Sequence, residues 1–228
     1  MIIVNEKIDM NKKKNLTIKE TFTLAVQNHQ KNNLKVAENL YNKVLKINPN
    51  HVDANNNLGI VFEKLGQPQK AIRYFQKAIQ INPDYIDAYY NLGKIFNKLN
   101  EPQKAISYYE KAIQINSNQA DARNNLGVIF RNLGEHQKAV SCYEKAIKID
   151  PNYVNAYNNL GTILGELNHV SEAKKNFEKS LNLNPNKKET CEGYGNILLK
   201  LNQHGKALGY IRKGTGLIRF TQKDTKII

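Results

Sequence analysis

Between Asn124 and Pro151 the chain lays down two apolar rows at helical spacing. Leu126, Ile129, Phe130 and Leu133 fall on one face, and Ala139, Tyr143, Ala146, Ile147 and Ile149 on another, with Gly134 between the two rows. Such spacing around a break predicts two amphipathic helices joined by a tight turn. Moved by 34 residues, the pattern returns. Leu126-Gly127 has counterparts in Leu58-Gly59, Leu92-Gly93 and Leu160-Gly161, and Ala139 in Ala71, Ala105 and Ala173. A fixed period of this size predicts an all-α solenoid of about six stacked helix-turn-helix units rather than a closed globule. The units fall at 18–51, 52–85, 86–119, 120–153, 154–187 and, degenerate, 188–221. A loose basic segment is expected over 1–17, and a tail over 222–228.

Punctuation residues support the same division. Gly59, Gly93, Gly127 and Gly161 stand in mid-helix, where glycine costs about 1 kcal/mol against alanine. A cost repeated four times implies close approach of two helices, with Ala71, Ala105, Ala139 and Ala173 expected opposite. Gly66, Asn100, Gly134 and Asn168 stand where a first helix ends in a left-handed residue. Pro68 and Pro102 suit the first turn of a second helix. Asn82-Pro83, Asp150-Pro151 and Asn184-Pro185 stop that helix, while Ser117 replaces the proline in the third unit.

Over residues 18 to 215 these positions resemble the tetratricopeptide repeat, W-x2-L-G-x2-Y, A-x3-F, P. The tryptophan place holds Thr21, Asn55, Tyr89, Arg123, Tyr157 and Cys191, and the tyrosine place Phe62, Phe96, Phe130 and Leu164. The resemblance implies a right-handed superhelix whose first helices line the concave side.

Charge changes this picture only at the ends. The net charge of +14 is concentrated in residues 1–51 and 188–228, +5 each, while each intervening unit carries +1. No continuous basic stripe follows, and the aromatic residues sit at packing places. Nucleic-acid binding would therefore rest on charge alone. The apolar runs are too short to span a membrane. The opening MIIVNEKIDM lacks the basic start and long apolar core of a secretory signal. Met10 is an alternative start. Cys142 and Cys191 lie in different units and helix types, which argues against a disulfide and fits a reducing, cytoplasmic setting.

No phosphate loop, HExxH or CxxC is present, and no catalytic residue, metal or cofactor is expected. His136, His169 and His204 fall near successive turns, where histidines are ordinarily solvated. One polar feature recurs. Asn57, Asn91, Asn125 and Asn159 each precede the Leu of Leu-Gly, and Asp53, Asp87 and Asp121 form a second row one turn earlier, with Asn155 next. Asparagine is a poor helix former, and its amide offers a peptide backbone both a donor and an acceptor. The row resembles the asparagine ladder in the superhelix of O-linked N-acetylglucosamine transferases, which holds extended peptides. Chaperone-binding members of the family instead resemble a Lys/Arg clamp for a carboxylate, whose places here hold Asp and Asn. The expected activity is non-catalytic binding of a protein or extended peptide, basic or poor in acidic residues. Two alternatives stay open: the substrate-docking arm of a larger enzyme such as a glycosyltransferase, and a nucleic-acid binder. Four asparagines changed to alanine are expected to leave the fold intact or steadier. Gly205, Gly209, Gly214 and Gly216 weaken the last helix, and the apolar, partly alternating stretch from Leu217 suits a strand.

Overall fold

The computed structural model describes residues 16–216. The structure of the expected N-terminal segment before Leu16, and of the strand-like tail after Gly216, lies outside the described residues. Twelve α-helices and no strand occur among the described residues. They run as six pairs: α1 (Ile18–Gln30) with α2 (Leu34–Ile47), α3 (Val52–Lys64) with α4 (Pro68–Ile81), α5 (Ile86–Lys98) with α6 (Pro102–Ile115), α7 (Ala120–Asn132) with α8 (His136–Ile149), α9 (Val154–Glu166) with α10 (Val170–Leu183), and α11 (Lys188–Lys200) with α12 (His204–Thr215). No described helix is long and apolar enough to cross a membrane.

Two compact units divide the chain, one ending at Asn91 and one beginning at Leu92, so the boundary falls within α5. In the first unit, α1 packs on α2, α2 on α3 and α3 on α4, and α1 also touches α3. The second unit repeats this scheme from α6 to α12, with α7 against α9 and α9 against α11. Contact only with neighbours is the signature of a stacked array.

Each turn inside a pair has the same construction. Asn32, Gly66, Asn100, Gly134, Asn168 and Asn202 all take positive φ, between 57° and 76°. The amide after each of them donates back to a carbonyl five residues earlier, as in Gln67 N to Phe62 O at 2.9 Å and Glu135 N to Phe130 O at 2.8 Å. These bonds close a Schellman-type cap on otherwise orphaned carbonyls. Turns between pairs are equally regular. The side chains of Asn48, Asn82, Asn116, Asp150 and Asn184 each accept from the amide two residues on, at 2.9 to 3.1 Å. The third unit therefore keeps its turn although Ser117 replaces proline, because Asn116 makes the Asx bond. At the start of the array, Thr17 and Glu20 form a reciprocal capping box on α1.

Mid-helix glycines do mark close helix approach, but alanine is not what they meet. A Cβ on Gly59 would stand 2.6 Å from the Phe75 ring, on Gly93 2.8 Å from Tyr109, on Gly127 2.5 Å from Tyr143 and on Gly161 3.0 Å from Phe177. The ring four residues beyond each conserved-spacing alanine lies across the glycine, and the alanines are themselves fully buried. Glycine in the last pair does not prevent a helix either. α12 includes Gly205, Gly209 and Gly214, and a Cβ on Gly214 would come within 2.8 Å of the α11 backbone.

Candidate binding face

Helices α1, α3 and the first turns of α5 put the predicted polar residues of the first unit around one cleft. Its volume is about 400 Å³, and Asp53, Asn57, Asp87 and Asn91 all line it, together with Phe22, Val26, Asn56, Ile60, Tyr85 and Tyr90. Asp53 and Asp87 are exposed and Asn57 is half-buried, whereas Asn91 is only 7% exposed. The lining combines apolar and aromatic residues with asparagines and two carboxylates. Among the described residues no lysine or arginine lines it.

Hydrogen bonds within the face show that the fold itself uses these asparagines. Asn91 Nδ2 donates to Asn56 Oδ1 at 3.1 Å, and Asn56 Nδ2 lies 3.4 Å from Asn57 Oδ1. The second unit repeats the device: Asn159 Nδ2 donates to Asn124 Oδ1 at 2.9 Å, and Asn158 Nδ2 lies 3.4 Å from Asn159 Oδ1. Asn125 Nδ2 donates to the Tyr109 hydroxyl at 3.3 Å. Thr190 extends the chain of bonds by donating to Asn158 Oδ1 at 3.0 Å, and its hydroxyl lies 2.9 Å from that of Ser180. Sequence reasoning found the row at 57, 91, 125 and 159 but missed its partners at 56, 124 and 158. The signal was available, since these asparagines recur at the same period one residue earlier.

Tyrosines from the next pair hold two of the three aspartates. Tyr85 donates to Asp53 Oδ1 at 2.7 Å and Tyr153 donates to Asp121. Burial, the Asp53 hydrogen bond and the negative charges of Asp53 and Asp87 push the Tyr85 phenol far above its ordinary range. Both carboxylates thus act on the same corner of the cleft. Burial pushes the Tyr41 phenol up to about 12, with the Asn57 amide working the other way. In the second unit Arg131 forks onto Glu166 through Nε and Nη2, which lowers the Glu166 carboxyl below its ordinary value. A smaller cleft of about 260 Å³ opens between α9 and α11, bordered by Phe177, Gly161, Gly165 and Gly193. Gly193 occupies the asparagine place of the sixth unit, so the polar row gives way there to an aromatic floor.

The tryptophan places have a structural use as well. Asn55 Nδ2 donates to Pro49 O at 3.1 Å, Arg123 Nη2 to Ser117 O at 3.3 Å, and Cys191 Sγ to Pro185 O at 3.8 Å. Each reaches back six residues to fasten the preceding turn. Cys142 and Cys191 are free thiols, both raised in pKa chiefly by burial. The repeat aromatics Phe62, Phe75, Phe96, Tyr109, Tyr143 and Phe177 are buried and offer no stacking surface for bases. No group of three or more His, Cys, Asp or Glu that could share a metal ion occurs among the described residues.

Sequence profiles described as tetratricopeptide repeat match residues 51–118, 120–153 and 142–175, and one described as TPR repeat matches 28–66. A crystal structure of MamA is 34% identical over 70% of this chain and 94% of its own, with a TM-score of 0.64. The chain belongs to the tetratricopeptide-repeat family. Other tetratricopeptide-like structures share the fold at lower identity. PilF of Pseudomonas aeruginosa is 17% identical, covering 85% of this chain and 88% of its own, with a TM-score of 0.78. YrrB, described as a TPR protein with an unusual peptide-binding site, is 24% identical over 76% of this chain and 90% of its own, with a TM-score of 0.61. Comparison with curated proteins gives no match.

Proposed function

We propose that this tetratricopeptide-repeat chain is a non-catalytic scaffold that binds an extended segment of another protein on the asparagine-bearing faces of its first helices. The observation that carries the reading is the cleft of the first unit, where Asn57, Asn91, Asp53 and Asp87 line one concavity. Each asparagine has two amide hydrogens and two carbonyl lone pairs. The internal bonds described above orient the side chains, and the remaining capacity of the half-buried Asn57 faces the cleft. YrrB, which shares the fold, is described as having a peptide-binding site. The aspartates favour partners that are basic or poor in acidic residues, and make binding weaken as salt rises. Free thiols at Cys142 and Cys191 suit a reducing compartment such as the cytoplasm.

Selection of peptides from a random dodecapeptide display library against the full chain tests this reading. Titration of the enriched peptides against parent and an Asn57→Ala/Asn91→Ala variant follows, with helicity checked by circular dichroism at the same temperature. Two backbone-directed bonds are worth about 1–3 kcal/mol together, so affinity should fall by roughly five- to 150-fold. Unchanged affinity in a folded variant would move the binding surface elsewhere, to the basic ends of the chain in the first instance.

A further inference from the structure

The same cleft has a shape and charge that go beyond reading a backbone. Phe22, Val26 and Ile60, all partly exposed, line it together with Asp53 and Asp87, whose charges both act on Tyr85. Phe22 is fixed in place by stacking on His51, with ring centroids 4.6 Å apart. Tyr85 donates to one oxygen of Asp53 but brings no positive charge, and among the described residues no cationic side chain lines the cleft. Two exposed carboxylates therefore share a partly apolar cleft in which the described residues supply no counter-ion.

We infer that this cleft is a side-chain pocket for one arginine of the bound segment, its stem lying along Phe22, Val26 and Ile60 and its guanidinium bridging Asp53 and Asp87. The inference rests on the reading of this face as a peptide groove and adds to it a single point of sequence selectivity. Charge complementarity names the occupant. A planar guanidinium presents several N–H donors in a fixed fork, suited to two acceptors at once, and it lies flat on aromatic rings such as Phe22 and Tyr90. An ammonium is a compact, strongly hydrated point charge and fits such a site less well. Glutamate and aspartate are repelled by the same carboxylates.

Nuclear magnetic resonance titration of the full chain with N-acetyl-arginine N-methylamide tests the pocket without any selected peptide. The side-chain amides of Asn56, Asn57 and Asn91 should shift saturably, with affinity falling as salt is raised. The citrulline analogue has nearly the same shape without the charge, and should bind at least about tenfold more weakly. The lysine analogue should fall between them. Asp87→Asn, which leaves the Tyr85–Asp53 bond untouched, should abolish most of the preference for arginine over citrulline, and Asp53→Asn should do the same. Equal binding of arginine and citrulline, or full arginine affinity in Asp87→Asn, would overturn the pocket, as would no shift at all. Library peptides separate the two levels. Enriched peptides that bind without a preferred arginine would sink this inference and leave the groove standing. Capped arginine held in the cleft while no peptide is enriched would support the pocket and sink the groove.

Discussion

Replacing Gly127 by alanine sets two effects against each other at one atom. Alanine is the better helix former by about 1 kcal/mol, which favours the variant. Its Cβ, however, would lie 2.5, 2.8 and 2.9 Å from three carbons of the Tyr143 ring, and Tyr143 is fully buried. Such a ring moves only by displacing the core around it, and overpacking of this kind costs about 1–3 kcal/mol. Gly161 is the control at the same helical place. Its Cβ would come no closer than 3.0 Å to the Phe177 ring, so that ring need yield only by a few tenths of an ångström. The propensity gain is common to both, so it cancels in the difference. Gly127→Ala should be less stable than Gly161→Ala by about 1–2 kcal/mol, or roughly 2–8 °C in Tm for a chain of this size. Both sites lie in the second unit. Thermal scans followed by circular dichroism give the comparison, and hydrogen exchange of α7 and α9 checks it where stacked repeats melt without full cooperativity. A Gly127→Ala chain as stable as Gly161→Ala would show that the tyrosine ring does not set the helix separation.

Further changes probe the polar row, the turns and the ion pair. Asn91→Ala should destabilise the first unit by about 1–3 kcal/mol in urea unfolding, because Asn56, 3% exposed, loses the donor to its carbonyl; this reverses the sequence-based expectation that the row could be removed freely. Gly134→Ala has no atom within 4 Å of the new Cβ, so its expected loss of about 1–2 kcal/mol, read as a shift of the urea midpoint, comes from φ of 76° alone. Acid should weaken the Arg131–Glu166 pair in a definite direction. The folded carboxyl lies below its ordinary value of 4.5, so its contribution is complete above that value and is lost as pH falls through the folded one. Both side chains are more than a third exposed, which limits the effect to about 0.2–1 kcal/mol. Glu166→Gln should flatten that part of the stability profile measured by urea midpoints from pH 6 to pH 3.

Periodicity made the helices and turns legible because it compares a residue with its own copies. Leu-Gly, the turn Asn or Gly, and the Asx-Pro stop each solve a local backbone problem, and the solution returns 34 residues later. Contacts between neighbouring pairs follow other intervals. Asn56 meets Asn91 and Asn124 meets Asn159 at an offset of 35, as Arg131 meets Glu166. Asp53 meets Tyr85, Asp121 meets Tyr153 and Asn158 meets Thr190 at 32. Tyr109 meets Asn125 and Glu178 meets Tyr194 at 16, from a second helix to the next first helix. A period of 34 compares equivalent copies, so it showed the asparagines as a row facing outward and hid the bonds that tie them to neighbours at other intervals. The aromatic across each mid-helix glycine escaped for a related reason. Both Ala71 and Phe75 recur at 34, and the period gives no ground for choosing which of them lies over Gly59; only the ring position decides it. Offsets of 16, 32 and 35 therefore hold the tertiary information in this sequence. The third unit is where they lapse, with Tyr90 in place of the inner asparagine and Gln119 in place of the tyrosine that elsewhere donates to the aspartate row.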